Sequence, residues 1–339
     1  MRKILWILPN KCKKNSGIFK YNIELIKLVK KKSNVEIIYT GTINNYFFTF
    51  FYKFIFFPLY LIFKSNKFNC VVFPEEGFAF LKVFSYSDQN KIIIHDFRKV
   101  FNDKNRIKII EFLKQLYLNF NFKFIHKFNK IIVPSLFTKN LLKKYAVLEL
   151  QKIDIIPNII NFRKKIQNHN KKLNFLKEDC KDSITVMCVT SNETRKNINF
   201  LSHVANYSKN IKFIIVGNIQ IKKFKNNTYN FKNISEKDLI YLFNISDIFL
   251  DVSLFEGFGR TLIEAQYFGL KVISFNTKIN KEILGNSGTY INKNFSIKKI
   301  NSILKKKLLK KNRIKYFKNA LNFSTEKINY KYKNEINEI

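Results

Sequence analysis

The stretch SLFEGFGRTLIEAQYFGLKVIS, residues 253–274, carries the most specific pattern of the chain. Its two glutamates, Glu256 and Glu264, are separated by seven residues, and Gly257 and Gly259 follow the first within three positions. The apolar run before it predicts a buried strand, whereas the residues after Gly259 have the spacing of an amphipathic helix. We therefore expect Glu256 in a turn at the carboxyl end of a parallel strand, the edge at which open α/β sheets bind ligands.

Short apolar runs alternate with longer amphipathic stretches on both sides of this pattern. In the first half, the strand candidates lie at 3–8, 35–40, 70–73, 91–95, 130–134 and 152–157. In the second half, they lie at 183–191, 211–218, 247–253, 271–275 and 288–292. This alternation predicts parallel sheets with helices on both faces, because parallel strands need crossover connections. The sequence thus predicts an α/β fold with two Rossmann-like, doubly wound domains in tandem.

A polar segment rich in lysine and asparagine, residues 158–182, separates the two series of strands and has the character of a linker. The chain has 339 residues, which is enough for two domains of ordinary size. We place the first domain at residues 1–160 and the second at 161–310. The basic helical tail, about 311–339, is expected to pack back onto the first domain.

Charge and cysteine content limit the partners and the compartment. The formal net charge is +38, nearly all from lysine, which suits a nucleic-acid binder or a membrane-surface protein. A bias towards AT-rich codons accounts for the same excess, because asparagine, isoleucine and phenylalanine are abundant as well, and the sequence leaves both explanations open. The four cysteines have no CxxC spacing, which argues against a zinc site or a disulfide framework and suits a reducing cytosol.

The most apolar segment, residues 46–63, is too interrupted to predict a transmembrane helix, because Lys53 and Pro58 fall within it. Two interpretations remain open. An aromatic-rich segment at a membrane interface tolerates both residues, with Lys53 reaching water. A buried helical hairpin that closes the first domain accounts for the apolar character equally. The apolar run at residues 3–8 predicts a first strand and not a signal peptide, so we expect a cytoplasmic location.

The residues around the two glutamates have the properties of a nucleotide site. Glycine at 257 and 259 allows close approach of the backbone, and the following helix N-terminus offers N–H groups to a diphosphate. Glu264, about one and a half turns into that helix, can accept both hydrogen bonds of a ribose diol. A nicotinamide-cofactor fingerprint is incomplete, because GFGRTL lacks the third glycine. A capping box or two solvated carboxylates is the alternative without a ligand.

The string from Glu256 to Glu264 resembles the Glu-x7-Glu signature of retaining glycosyltransferases of family 4, which have the GT-B fold of two Rossmann-like domains facing a cleft. The likeness covers most of the chain, although Ile159 replaces the usual glycine and Thr325 stands where the family usually has tryptophan. Other segments that resemble the family are IIIHDFRKVF (92–101), VPSLFTKNLL (133–142), IIPNIIN (155–161), TSNETRKNINFLSHVAN (190–206), FIIVGN (213–218) and ISEKDLIYLFNISDIFLDVS (234–253). The resemblance implies that the first domain binds the acceptor and the second the nucleotide sugar.

Individual roles follow from the same resemblance. It implies that Arg195 and Lys196 hold the donor diphosphate, a task that suits two converging cations. It implies that Glu256 lies by the donor sugar and that Glu264 binds the ribose. The residues of the turn and helix start that it assigns to donor binding are Gly257, Phe258, Gly259, Arg260 and Thr261.

Two positions of the first domain complete the implied site. His95 is expected to face the donor sugar across the cleft, with Asp96 next to it. Gly17 matches the family's glycine-containing first loop near the phosphate, although Ser16 replaces the second glycine of that loop.

The implied reaction moves a sugar from a UDP- or GDP-linked donor to a hydroxyl of a saccharide or lipid-linked acceptor, with retention of the anomeric configuration. In the family's front-face mechanism the departing phosphate takes the acceptor's proton. We expect no cofactor and no metal, because the two cations serve the diphosphate and no Asp-x-Asp motif is present.

We expect no nucleic-acid partner and a peripheral position on the inner face of the cytoplasmic membrane. The expected pathway is the synthesis of cell-envelope polysaccharide or lipopolysaccharide. A non-catalytic basic protein that binds membrane or nucleic acid is the alternative, and it explains the charge but not the signature.

Overall fold

The computed structural model describes residues 1–10, 16–41, 46–96, 109–146, 152–161, 170–219, 224–306 and 310–339. The chain divides into two compact units. Unit 1 comprises Met1–Ile160 and Thr325–Ile339, and unit 2 comprises Asn161–Ser324. Each unit contains a six-stranded sheet in which every pairing is parallel. The predicted α/β fold with two parallel sheets is therefore confirmed.

Unit 1 has the strand order β2-β1-β3-β4-β5-β6. Its strands are β1 (Arg2–Leu8), β2 (Ser33–Tyr39), β3 (Cys70–Phe73), β4 (Gln89–Ile93), β5 (Lys130–Val133) and β6 (Ile153–Ile155). Its helices are α1 (Gly17–Val29), α2 (Tyr46–Phe51), α3 (Phe57–Lys64), α4 (Ile109–Phe122), α5 (Leu136–Ala146), α13 (Thr325–Lys331) and α14 (Lys333–Glu338). A wider π-helical turn, Tyr52–Phe56, joins α2 to α3, so residues 46–64 form one continuous helical segment.

The sheet of unit 1 is buried on both faces, as the alternate residues of β1 show. Trp6 lies in a cluster with α1 and the C-terminal helices, whereas Leu5 lies in a cluster with α3. Both side chains are fully buried. Burial of a large apolar side chain stabilises a fold by roughly 1.5–3 kcal/mol. A near-continuous apolar run such as β1 is what a strand covered on both sides requires.

Unit 2 has the strand order β12-β11-β10-β7-β8-β9. Its strands are β7 (Ile184–Val189), β8 (Ile211–Val216), β9 (Thr228–Phe231), β10 (Ile248–Asp251), β11 (Lys271–Phe275) and β12 (Thr289–Ile291). Its helices are α6 (Phe175–Asp179), α7 (Ile198–Tyr207), α8 (Glu236–Ile245), α9 (Arg260–Tyr267), α10 (Lys278–Leu284), α11 (Ile297–Leu304) and α12 (Lys310–Leu321). The direction of strand addition reverses between β7 and β10, which pair directly. Such a reversal opens a crevice at the carboxyl ends of the two strands.

The C-terminal tail is shared between the units. Helix α12 lies in unit 2, where Asn319 Nδ2 donates hydrogen bonds to Gln266 Oε1 at 2.6 Å and to the Ile283 carbonyl at 3.1 Å. The segment that returns to unit 1 begins at Thr325, not near residue 311 as the sequence suggested. Arg2 Nη1 donates to the Glu338 carbonyl at 2.8 Å, and Lys91 Nζ donates to the same oxygen. These bonds satisfy the carbonyl end of α14.

The segment 158–182, expected as a linker, is only partly described. Residues 162–169 lie outside the described ranges, and α6 forms within the remainder. Across the described parts of the chain, no helix is long and apolar enough to cross a membrane.

Candidate functional site

The site develops from two loops that follow the neighbouring strands β7 and β10. Arg195 and Lys196 lie in a short 3-10 turn after β7, and Asn197 at the start of α7 has a positive φ of 53°. This left-handed residue reverses the chain into the helix, a conformation that asparagine tolerates better than most residues. Glu256 lies in the loop between β10 and α9. The switch-point topology therefore places the two loops side by side at one edge of the sheet.

Arg195 and Lys196 converge on a single oxygen of Glu256. Arg195 Nη1 donates to Glu256 Oε1 at 3.0 Å, and Lys196 Nζ donates to the same atom at 2.5 Å. The exposed fractions of the three side chains are 13%, 17% and 15%, so solvent screens the pairs only in part. The geometry suits a site that binds an anionic oxygen between a guanidinium and an ammonium.

Backbone hydrogen bonds fix the two loops to each other. The Leu254 amide donates to the Arg195 carbonyl at 2.7 Å, and Arg195 Nη1 also donates to the Phe255 carbonyl at 3.3 Å. Arg195 Nε donates to Glu193 Oε2 at 2.7 Å, on a side chain that is 48% exposed. The arginine is thus held from both loops, which lowers the entropic cost of presenting its charge.

The carboxylates of the site have opposite electrostatic environments. Burial alone would raise the pKa of Glu256, but the positive charges of Lys196 and Arg195 outweigh burial and lower that pKa. Burial raises the pKa of Asp251 above its ordinary value, the charge of Glu256 adds to the effect, and Lys196 opposes it. Glu256 is therefore ionised at neutral pH, while the charge on Asp251 is costly.

Sequence reasoning missed Asp251 and Ser253. Asp251 is the last residue of β10, and its Oδ1 accepts hydrogen bonds from the Ser253 amide at 3.0 Å and from Ser253 Oγ at 2.5 Å. The available signal was an aspartate within the otherwise apolar run IFLDV (248–252), where a carboxylate is expensive unless it has partners.

The turn before α9 depends on Gly259. Its φ is +85°, and a Cβ placed there would lie 2.7 Å from Leu262 Cδ1, so both conformation and space favour glycine. Phe258 is buried and packs edge-to-face on Phe323, with ring centroids 5.4 Å apart. Phe258 thus anchors the turn in the core of unit 2.

Helix α9 carries the second glutamate of the pattern. Arg260 Nε donates to Glu264 Oε1 at 2.9 Å, an i,i+4 pair in which both side chains are less than one-fifth exposed. Thr261 lies between them in the first turn of the helix. The pair fixes the rotamer of Glu264 on the same loop–helix unit that carries Glu256.

His95, Asp96 and Gly17 belong to unit 1. His95 Nε2 lies 2.9 Å from the Pro74 carbonyl, which can only accept, so Nε2 carries a proton. The ring also packs edge-to-face on the buried Tyr21, with centroids 5.1 Å apart. Asp96 is buried, and Gly17 is the exposed first residue of α1.

Within unit 1, His95 is therefore held by Pro74 and Tyr21.

Of the predicted site residues in unit 2, the structure brings together Arg195, Lys196 and Glu256, whereas Glu264 pairs with Arg260 on α9.

Within the described ranges, no three His, Cys, Asp or Glu side chains gather as a metal site. Cys70, Cys180 and Cys188 are buried free thiols, and burial raises the pKa of each. Neutral, buried thiols of this kind are poor nucleophiles and poor metal ligands.

Comparison with known proteins identifies the class of domain that carries this site. Residues 170–321 match the family model of glycosyl transferases group 1. This range covers most of unit 2 and contains Arg195, Lys196 and Glu256 as well as the Arg260–Glu264 pair. No curated protein sequence matches the chain.

Three solved structures resemble the chain over 95% or more of its length. HepE from Anabaena, in complex with UDP and glucose, is 12% identical with a TM-score of 0.76, and 100% of each chain is covered. A glycosyltransferase from Rickettsia africae ESF-5 is 20% identical with a TM-score of 0.67, over 99% of this chain and 98% of the other. WaaG, a glycosyltransferase involved in lipopolysaccharide biosynthesis, is 15% identical with a TM-score of 0.68, over 95% of each chain.

At these identities the likeness establishes the fold, GT-B. Together with the domain match, it supports the predicted activity, sugar transfer, and the enzyme class of a hexosyltransferase.

Proposed function

We propose that the protein is a retaining glycosyltransferase that moves a sugar from a UDP- or GDP-linked donor to a hydroxyl of a saccharide or lipid-linked acceptor. The observation that carries the proposal is the convergence of Arg195 Nη1 and Lys196 Nζ on one anionic oxygen of Glu256. The three side chains lie where β7 and β10 open the switch point, the position at which parallel α/β sheets bind nucleotides.

The two cations have the properties that a departing diphosphate requires. Guanidinium and ammonium donors that reach the same oxygen can neutralise charge as the glycosidic bond breaks. They lie in a partly desolvated loop pair, where such interactions are stronger than in bulk water. The Glu193 pair is a weak competitor for Arg195, because Glu193 is about half exposed and its charge is screened.

The two glutamates would then have separate tasks. Glu264, held on α9 by Arg260, is proposed to accept hydrogen bonds from the ribose diol. Glu256, whose lowered pKa keeps it ionised, is proposed to orient the donor sugar and its two cationic neighbours. The turn from Gly257 to Gly259 and the first residues of α9, Arg260 and Thr261, would approach the diphosphate.

We propose a front-face reaction with retention of configuration. The acceptor hydroxyl attacks the anomeric carbon from the side of the leaving group, and the departing phosphate oxygen takes the hydroxyl proton. The contribution of the protein is positioning and charge stabilisation by Arg195 and Lys196, with no metal required for the diphosphate. His95, whose Nε2 proton is held by the Pro74 carbonyl, is proposed to contact the sugar, with Gly17 near the phosphate.

The structural neighbours support a nucleotide-sugar donor and an envelope pathway. One of them binds UDP and glucose, and another takes part in lipopolysaccharide biosynthesis. We propose that this enzyme acts in the synthesis of cell-envelope polysaccharide or lipopolysaccharide, on a saccharide or lipid-linked acceptor.

We further propose that the enzyme works at the cytoplasmic face of a membrane through an exposed apolar surface of unit 1, here named the aromatic face. Its members on the helical segment 46–64 are Phe48, Phe50, Phe51, Tyr52, Ile55, Phe56, Leu59, Ile62 and Phe63. Among the side chains of that segment that the structure describes, Phe57, Pro58 and Leu61 are buried. Many large apolar side chains exposed on one helical segment are characteristic of an interaction site.

The orientation of Lys53 strengthens this proposal. Its Nζ lies 4.0 Å from the Phe78 ring centroid and 4.9 Å from that of Tyr117, so the ammonium turns inward, whereas the membrane-interface interpretation of the sequence expected it to reach water. Cation–π contacts of this type offset part of the desolvation cost. Lys53 is the one charged residue between positions 46 and 63, so the exposed side of this stretch presents no charge. The next charged residue along the segment is Lys64.

A single set of experiments tests the proposed activity. Purified protein is incubated with UDP, GDP and a panel of nucleotide sugars, and thermal unfolding is followed. A donor that raises Tm is then supplied with saccharide and lipid-linked acceptors, and the product linkage is assigned by NMR. Retention of the donor's anomeric configuration is expected. Inversion would contradict the retaining mechanism, and a protein that no nucleotide protects would favour the non-catalytic alternative.

A further inference from the structure

A basic pocket lies beside the aromatic face, at the end of unit 1 where the strands begin. The cavity has a volume of about 450 Å³ and is lined by Lys3, Asn34, Glu36, Tyr60, Lys64, Lys67 and Phe68. A second cavity of about 580 Å³ shares Lys3 and Asn34 with the first and adds Lys30. The two together form a groove along the amino ends of β1 and β2.

This location separates the groove from the end of the sheet that carries His95. Lys3 is the second residue of β1 and Asn34 the second of β2, and the two are paired in register. His95 follows the carboxyl end of β4. Ligands of parallel α/β sheets bind at the carboxyl ends, so the groove is not part of the proposed acceptor site.

The lining of the first cavity favours an anion. Lys3, Lys64 and Lys67 contribute three ammonium groups, against the single carboxylate of Glu36. Glu36 Oε1 accepts a hydrogen bond from the Tyr60 hydroxyl at 3.3 Å, which occupies part of its accepting capacity. The amide of Asn34 can bond polyol hydroxyls, and ammonium groups are effective point-charge partners of phosphate.

Helix α3 connects the pocket to the aromatic face. Tyr60 and Lys64 are four residues apart and lie on one side of the helix, towards the pocket. Leu59 and Phe63, also four residues apart, lie on the adjacent side, where both are exposed. The 71% exposed Phe63 immediately precedes Lys64, so an apolar anchor and a phosphate ligand belong to the same turn.

We propose that this pocket binds the phosphate headgroup of an anionic membrane lipid while the aromatic face enters the interface. Charge complementarity and the shared helix select a lipid as the occupant: a soluble anion would use the lysines but not the apolar neighbours. The inference rests on the membrane location proposed above, but it does not depend on sugar transfer. It predicts that the preference for anionic lipid depends on Lys3, Lys64 and Lys67 and not on the net charge of the whole chain.

Co-sedimentation of the full chain with vesicles tests this selectivity. Wild type is compared on vesicles of phosphatidylcholine alone and of phosphatidylcholine with phosphatidylglycerol, at constant ionic strength. The triple variant Lys3→Gln, Lys64→Gln, Lys67→Gln is expected to lose binding to the anionic vesicles by about tenfold or more. Added glycerol 3-phosphate should compete only weakly, because it lacks the acyl chains.

The matched control removes three exposed lysines from unit 2: Lys278→Gln, Lys281→Gln, Lys298→Gln. This variant has the same net charge as the pocket variant, and we expect its vesicle binding to stay within about twofold of wild type, since distant charges are screened. Equal losses in the two variants would overturn the headgroup site, as would wild type that does not prefer phosphatidylglycerol. UDP or GDP binding by the pocket variant reports on the nucleotide site alone, so failure of the proposed activity is separable from failure of the lipid site.

Discussion

Lys196 Nζ and Glu256 Oε1 are 2.5 Å apart although their residues are 60 positions apart in the sequence. The contact exists because β7 and β10 are neighbours at the reversal of strand order, so the loops after them meet. Arg195 completes the arrangement from the same loop as Lys196. Two cations of one loop and a carboxylate of the next thus share one oxygen atom.

Removal of either cation should slow sugar transfer. We expect Arg195→Ala and Lys196→Ala each to lower kcat/KM by the equivalent of about 2–4 kcal/mol, the typical effect of losing a charge-stabilising group. The control is Lys212→Ala, which removes a lysine from a surface pair with Asp179 (2.8 Å) in the same unit and should leave kcat/KM unchanged. Near-normal turnover in both site variants would contradict the diphosphate assignment.

The two glutamates should separate binding from turnover. Glu264→Gln should weaken UDP or GDP binding, because the amide has one acceptor oxygen and an NH2 donor where the carboxylate has two acceptor oxygens. Glu256→Gln should keep nucleotide affinity nearly intact, because Arg195 and Lys196 remain, but should slow transfer. Isothermal titration calorimetry with UDP and GDP measures the first effect and steady-state kinetics the second. Equal nucleotide affinity of wild type and Glu264→Gln would disprove the ribose role.

Stability should depend on pH in opposite ways at the two carboxylates. The folded-state pKa of Glu256 is lowered, so its stabilisation is present above the unfolded pKa and is lost as pH falls through the folded pKa. Glu256→Gln should therefore be less stable than wild type at pH 7, with a difference that shrinks in acid. The folded-state pKa of Asp251 is raised, so its ionisation destabilises the fold as pH rises between the unfolded and folded values.

Asp251→Asn should accordingly gain stability relative to wild type at pH 7, and the gain should vanish below the unfolded pKa of the aspartate. The amide oxygen can still accept from Ser253, which keeps the local turn. Urea denaturation at pH 7, 5.5 and 4 gives the free energies of unfolding for both variants. If both variants changed the free energy of unfolding at pH 7 in the same direction, the two carboxylates would not have opposite electrostatic environments.

The positive φ of Gly259 should make this position intolerant of any residue with a side chain. Gly259→Ala must adopt a φ of +85° and place Cβ 2.7 Å from Leu262 Cδ1, at a cost of about 1–3 kcal/mol in the free energy of unfolding. Gly17→Ala is the matched control, since nothing lies within 4 Å of the added Cβ at the first residue of α1. Denaturant titrations of both variants should therefore differ by that amount, and equal stability would mean that the turn adjusts freely.

The sequence predicts most of the fold because the strands of both units, buried on two faces, are apolar runs. It does not predict β9, whose residues Thr228–Phe231 are half-buried at the sheet edge and have no apolar run. The pairing of Arg195 and Lys196 with Glu256 follows only once strand order is known. The inward turn of Lys53 also depends on aromatic rings distant in sequence, Phe78 and Tyr117.

Membrane docking should depend on the exposed aromatic rings and not on those that pack unit 1. Phe50, Phe51 and Phe63 belong to the aromatic face, whereas Phe54 stacks on Phe80 with centroids 5.1 Å apart. Substitution of Phe54 would therefore mix a folding defect with a binding defect. The informative variant is Phe50→Ser, Phe51→Ser, Phe63→Ser, which should retain thermal stability and nucleotide binding.

In liposome flotation at low salt, wild type should float with anionic vesicles and this triple variant should remain at the bottom. The variant lacks the apolar contact of three aromatic rings with the membrane interface. The basic pocket alone supports only salt-sensitive binding. The control replaces exposed apolar residues of unit 2, Phe175→Ser, Tyr207→Ser and Ile314→Ser, and should float like wild type. Loss of flotation by the control as well would assign binding to general hydrophobicity, and a wild type that stays at the bottom would refute membrane docking through unit 1.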